Sequence, residues 1–208
     1  LTAAPGGKST LLVENLPHGS LLVANEVIRS RYPILLYNHH KWGYPNVLCT
    51  NHDPKDFAPL AGIFDLVLVD APCSGEGLFR KDPASVQEWS LKAVEHCHLR
   101  QMRILKEAAP LVKNGGLLCY STCTYNEKEN RDSLCSMHKS EDWEPIRMKF
   151  PSSWGIQERE WGCQFFPHRL RGEGFFFLAF RRKTGAEASV ARRKNTLPGF
   201  NQGFMLFS

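Results

Sequence analysis

The chain has no apolar run long enough to cross a bilayer, no signal-peptide pattern, no internal repeat and no CxxC pair. The first two absences argue against a membrane or secreted protein, and the third against a solenoid. Seven scattered cysteines without CxxC pairing point to free thiols in a reducing, cytoplasmic compartment. One-sided charge is missing as well. Lys and Arg number 26 against 21 Asp and Glu, and the net +5 permits a polyanionic partner without demanding one. What is present is ordinary globular material, 208 residues of which 42% are hydrophobic, enough for one good core.

The stretch that organises the rest is 64–83, FDLVLVDAPCSGEGLFRKDP. Its apolar, β-favouring start reads as a buried parallel strand that delivers Asp70 to its carboxyl end, where open α/β sheets place their chemistry. Pro72 stiffens the turn that presents Cys73, and Gly75 and Gly77 let the backbone pass close to something else. A second apolar run, 117–120, ends in Ser121, Thr122, Cys123 and Thr124. Neighbouring strand ends then bring two cysteines into one crevice.

Around these the chain alternates. It opens on LTAAPGGKST, a glycine turn with no strand ahead of it, so the first strand is expected to be largely missing. A helix over 9–16, a strand at 20–24 and a helix within 27–42 follow, with Pro33 kinking that helix or delaying its start. A strand is expected at 46–50, then the central strand, then helical segments over 84–112. Asn114, Gly115 and Gly116 are expected to cap the long helix. A polar helix over 126–139, weak strands at 143–148 and 164–166, and a strand at 174–180 complete the pattern. The fold class predicted is α/β, a Rossmann-like doubly wound, mostly parallel sheet with an antiparallel final strand. Residues 1–182 read as one domain and 183–208 as a basic tail.

PGGKS followed by an acidic strand suggests a phosphate loop, so a P-loop NTPase competes. The Walker spacing requires a glycine where Thr2 stands, and Pro5 removes a donor from a loop that must cradle phosphates. A tight turn at a helix N-terminus remains, able to approach a ligand. Three successive strands end on acids, Glu26, Asp53 and Asp70. Glu26 suits the two hydroxyls of a ribose and Asp53 an exocyclic amine, so an adenosine-type cofactor is expected. His96, Cys97 and His98 point around a helix rather than from one face, and no metal site is assigned.

Together, TAAPGGKS, DAPCSGEGLFRKDP, YSTCTYNEKEN and PHRLRGEGFFFLAF resemble the Sun/Fmu family of S-adenosylmethionine-dependent RNA cytosine-5 methyltransferases, from residue 1 to about 180. GEGLFRKDP with the following EWS is most similar to the bacterial branch acting on small-subunit ribosomal RNA. The resemblance implies a class I methyltransferase domain over 1–182, S-adenosylmethionine as cofactor, and a monomer that acts on RNA. It implies cofactor contacts from Thr2, Ala3, Ala4, Pro5, Gly6, Gly7 and Lys8 and from Glu26, Asp53 and Asp70. Cys123 is implied as nucleophile, with Cys73 assisting release and Asp70 holding the target base; Arg80, Lys81, Arg169 and Arg171 are expected on the RNA-facing rim. Thr2 departs from the family, which often has Cys there. Carbon 5 of cytosine is a poor nucleophile, and addition of a thiolate to carbon 6 makes it enamine-like, which is why the chemistry needs a cysteine. DNA cytosine methyltransferases, in which a PC-motif cysteine attacks, are a second alternative; the TC cysteine favours the RNA type.

Overall fold

The computed structural model describes residues 1–185; most of the 183–208 tail lies outside the described residues. In chain order the regular elements are α1 (Gly7–Asn15), β1 (Leu22–Asn25), α2 (Tyr32–Trp42), β2 (Val47–Thr50), β3 (Phe64–Asp70), α3 (Ala84–Glu88), α4 (Leu91–Ala108), β4 (Val112–Thr122), α5 (Ser133–Lys139), β5 (Trp143–Ile146), β6 (Gln157–Arg159), β7 (Gly162–Phe165) and β8 (Phe175–Arg182). Two parallel pairings, β1 with β2 and β3 with β4, form the α/β part. β8 runs antiparallel to β4, and its other edge takes β7 at its start and β5 at its end, with β6 beyond β7. The antiparallel end is therefore broader than a single final strand.

Local sequence explains most boundaries. Pro33 sits in the first turn of α2, where its missing N–H costs nothing, so the helix starts at Tyr32 rather than at 27. Gly43, at φ 71°, ends it. The Ser90 hydroxyl caps α4 by accepting from Ala93 N at 3.1 Å. That helix turns Val94, Gln101, Leu105 and Ala108 toward the sheet at helical spacing. Leu105 and Ala108, with Ile104, join Val67 and Val69 of β3, Leu118 and Tyr120 of β4, and Leu178 and Phe180 of β8 in the main core, where each fully buried large side chain contributes about 1.5–3 kcal/mol.

Two expectations are corrected. Asn114, Gly115 and Gly116 do not cap α4, which ends at Ala108; they lie inside β4 and form a bulge where the register with β3 jumps between Phe64 and Leu66. Gly115 has φ 79°, and a Cβ on Gly116 would lie 2.9 Å from the Asp65 carbonyl, so a bulge needs glycine at both positions. The polar helix expected from 126 begins instead as a π turn, 128–132, before α5.

The sheet is divided. β1 and β2 carry their own small cluster of Ala4, Ala24 and Leu35, apart from the main core. A groove of about 630 Å³ runs between β1 and β3, lined by 22–25 from one side and by 64–68 from the other. The first residues of the chain bridge its upper end: the Leu1 amino group donates to the Leu68 carbonyl at 2.6 Å, and Ala3 N to the Asn25 carbonyl at 2.8 Å.

Candidate active site

The carboxyl ends of β3 and β4 converge on two thiols. The registered pair Asp70 and Ser121 ends the ladder, and the chains then turn into Cys73 on one side and Cys123 on the other. The two Sγ atoms lie 3.0 Å apart, and Cys123 N donates to Cys73 Sγ at 3.3 Å. Their protonation is asymmetric. Accepting the Cys73 S–H holds the Cys123 thiol below its ordinary value, against burial and Asp70 and with help from the Lys8 charge. The same bond, which Cys73 donates, and burial push Cys73 well up. The bond thus favours the thiolate form at Cys123 and the protonated form at Cys73.

Asp70 is fixed between partners: Oδ1 accepts from Ser121 Oγ at 2.7 Å and Oδ2 from Lys8 Nζ at 3.0 Å. Lys8 also sits 5.1 Å from the centre of the Phe175 ring, on β8. The glycine turn is held from below. Glu26, 1% exposed, accepts from Ala4 N at 3.0 Å through Oε2 and from Ile28 N at 2.9 Å through Oε1. Arg31 donates to the Ala4 carbonyl and Asn38 to the Pro5 carbonyl, both at 2.6 Å. Gly6, at φ 119°, is the residue that leads into α1, and no side chain caps that N-terminus. Thr2, at φ 58°, holds an uncommon conformation for a β-branched residue and donates its hydroxyl to the Asp70 carbonyl at 2.5 Å.

The expected residues do not all converge equally. Residues 2–8, Glu26, Asp70, Cys73 and Cys123 lie around the strand ends. Asp53 caps a 3₁₀ turn, 54–60, accepting from Lys55 N and from Arg103 at 2.8 Å. Partial burial opposes its ionisation, but those two donors outweigh it and hold the carboxyl below the usual range. Arg80 is paired with Glu173 at 3.0 Å and with the Gly172 carbonyl, while Lys81, Arg169 and Arg171 are exposed.

Sequence reasoning missed the groups that hold the two thiol loops together. Glu76, from the Cys73 loop, accepts from Thr124 Oγ1 at 2.9 Å, Tyr125 N at 3.0 Å and Asn126 Nδ2 at 3.2 Å. Glu129, on the π turn, accepts from Ser74 N at 2.9 Å, Ser74 Oγ at 2.5 Å and Gln101 Nε2 at 2.9 Å. Burial raises its pKa despite these donors. Asn130, the next residue, accepts from Thr122 Oγ1 and donates to the Thr124 carbonyl. Gly77 N reaches the Cys123 carbonyl at 2.8 Å, and Gly174 N reaches the Gly77 carbonyl at 3.1 Å. The only advance signal was acid and amide density in GEG and YNEKEN, which a polar surface also shows.

The family described as 16S rRNA methyltransferase RsmB/F matches residues 1–181. The chain belongs to that family. It is 34% identical over 214 residues to the ribosomal RNA small subunit methyltransferase F of Pectobacterium carotovorum, covering 100% of this chain and 43% of the relative. The crystal structure of PH0851 superposes with a TM-score of 0.79 at 28% identity, over 87% of this chain and 41% of that one. NSun6 from Pyrococcus horikoshii, solved with the S-adenosylmethionine analogue SFG, gives a TM-score of 0.75 at 29% identity, over 88% and 47%. The chain thus spans less than half the length of these proteins. Membership places the glycine turn in a methyltransferase fold and leaves no role for the phosphate-loop reading of PGGKS.

Proposed function

We propose that this domain, residues 1–182, transfers a methyl group from S-adenosylmethionine to carbon 5 of a cytosine in small-subunit ribosomal RNA, acting as a cytoplasmic monomer, with 183–208 as a basic linker. The observation that carries the reading is the pair of thiols 3.0 Å apart beside Asp70 at the ends of two parallel strands. The names of the relatives support ribosomal RNA as substrate. The residues present suit the cofactor: an uncapped helix N-terminus behind a glycine turn, and the Glu26 carboxylate, whose oxygens keep lone pairs free after their two backbone bonds. When bound, the cofactor supplies a sulfonium methyl.

The residues of this chain do the rest. The Cys123 thiolate adds to carbon 6 of the cytosine, and the electron pair of the 5,6 double bond shifts to carbon 5, which takes the methyl. Asp70, braced by Ser121 and Lys8, holds the ring nitrogen or exocyclic amine where charge develops. Cys73 or a water beside it then takes the carbon 5 proton, the double bond re-forms, and Cys123 leaves as thiolate. Lys81, Arg169 and Arg171 serve the phosphate backbone, with Arg80 available if its pairing with Glu173 opens.

Two variants test this in the full-length polypeptide. Cys123→Ala is expected to abolish methyl transfer with cofactor affinity nearly unchanged, whereas Cys73→Ala is expected to leave a covalent protein–RNA adduct on denaturing gels. An adduct that survives in Cys123→Ala would reverse the assignment.

A further inference from the structure

Glu129 is a carboxylate with no exposed surface, and among the described residues no cation pairs with it. Burying such a group is costly, and a hydrophobe of similar size would serve packing better. What it does instead is directional. Its oxygens accept from Ser74 N and Ser74 Oγ, on the carboxyl side of Cys73. Gln101, equally buried, gives one amide hydrogen to the Pro72 carbonyl at 2.9 Å, on the amino side of Cys73, and the other to Glu129. The Gln101 carbonyl is held in turn by Ser133 Oγ at 2.8 Å, which also meets His98 Nδ1 at 2.8 Å. Both peptide groups flanking Cys73 are thereby anchored to one network. The neighbouring residue on the same π turn, Asn130, anchors the Cys123 loop through Thr122 and Thr124.

We propose that Glu129, acting through Ser74 and together with Gln101, is a positioning residue that keeps the Cys73 sulfur against Cys123. Consecutive residues of one π turn set the two thiol loops, so a slip at Glu129 moves one sulfur relative to the other while Cys123 and the cofactor turn stay in place. This rests on the reading above, in which Cys73 serves release of the methylated base. A displacement of about 1 Å at a reacting group costs on the order of a hundredfold in rate, so modest slackening suffices.

The test uses the full-length polypeptide and two readouts. The first is the rate at which diamide, taking two electrons and two protons from the pair, closes a Cys73–Cys123 disulfide, followed by mass. The second is the lifetime of the RNA adduct on denaturing gels. Glu129→Ala is expected to slow disulfide trapping by about tenfold or more and to prolong the adduct toward that of Cys73→Ala, with cofactor affinity unchanged. Glu129→Gln is expected to restore both, because its carbonyl can accept from Ser74 N and Gln101 while its amide donates to Ser74 Oγ. Ser74→Ala removes one bond without opening the core and decides the matter if Glu129→Ala fails to fold: slowed trapping supports the proposal. Wild-type trapping in whichever variant folds, or a Glu129→Gln variant as slow as Glu129→Ala, overturns it. Slowed trapping with an unchanged adduct lifetime supports the positioning and removes Cys73 from the release step instead.

Discussion

The two sulfurs differ in their surroundings more than in their chemistry. Cys123 accepts a hydrogen bond and feels the field of Lys8, while Cys73 keeps its proton, donates that bond and is the more deeply held of the two. The direction matters for the proposed reaction, in which a thiolate rather than a thiol would add to carbon 6. With the folded pKa lowered, the Cys123 thiolate persists to a lower pH than that of an ordinary thiol and is lost as pH falls through the lowered value. Cys73→Ala withdraws the donor, so the pH at which half of Cys123 is alkylated by iodoacetamide is expected to move up in that variant. A midpoint that stays or falls would show that the asymmetry comes from elsewhere.

At the level of elements, the site is made by loops that touch rather than by strands that pair. Gly77 is where three meet: a Cβ there would stand 2.5 Å from the Gly174 carbonyl and 2.7 Å from the Cys123 carbonyl, both backbone atoms that cannot rotate aside. Gly77→Ala is therefore expected to destabilise the fold by about 1–3 kcal/mol, by forcing the Cys123 loop and the strand entry at Gly174 apart. Urea unfolding with the same slope and a lower midpoint checks it; an unchanged midpoint rejects the close packing. GEG in the sequence signalled a close backbone approach, but its partner lies nearly one hundred residues away, counted 174 minus 77, and no local pattern names it.

For the whole molecule, the weak point is the groove between β1 and β3. The facing edges carry no strand partner along it among the described residues, and the bridge consists of Leu1 and Ala3. The unpaired edges and the apolar side chains of Leu22, Val23, Leu66 and Leu68 along the groove are left half-buried rather than packed, and a domain stability of about 5–15 kcal/mol leaves little margin for such losses. Residues 1–208 alone are expected to melt without cooperativity. Fusing an extended apolar segment ahead of Leu1, long enough to lie along β3, is expected to give a single sharp thermal transition. A sharp transition from 1–208 by itself contradicts this.

The sequence by itself determined the parallel strands, the acids at their ends, the glycine turn and both cysteines, because each rests on a local pattern: an apolar run, a terminal carboxylate, a turn residue. For Pro33 it left a kink or a delayed start open, and the structure chose the delayed start, with the ring in the first turn of α2, where its missing N–H leaves no bond unmade. The tertiary structure alone decided that Asn114, Gly115 and Gly116 bulge within a strand, because the register of β4 depends on β3 beside it. It alone decided that Glu26 braces the glycine turn through Ala4 N, and that Asp53 pairs with Arg103. Glu76 and Glu129 became legible only through hydrogen bonds spanning about fifty residues, 124 minus 76 and 129 minus 74, because a buried acid and a solvated one are written with the same letter.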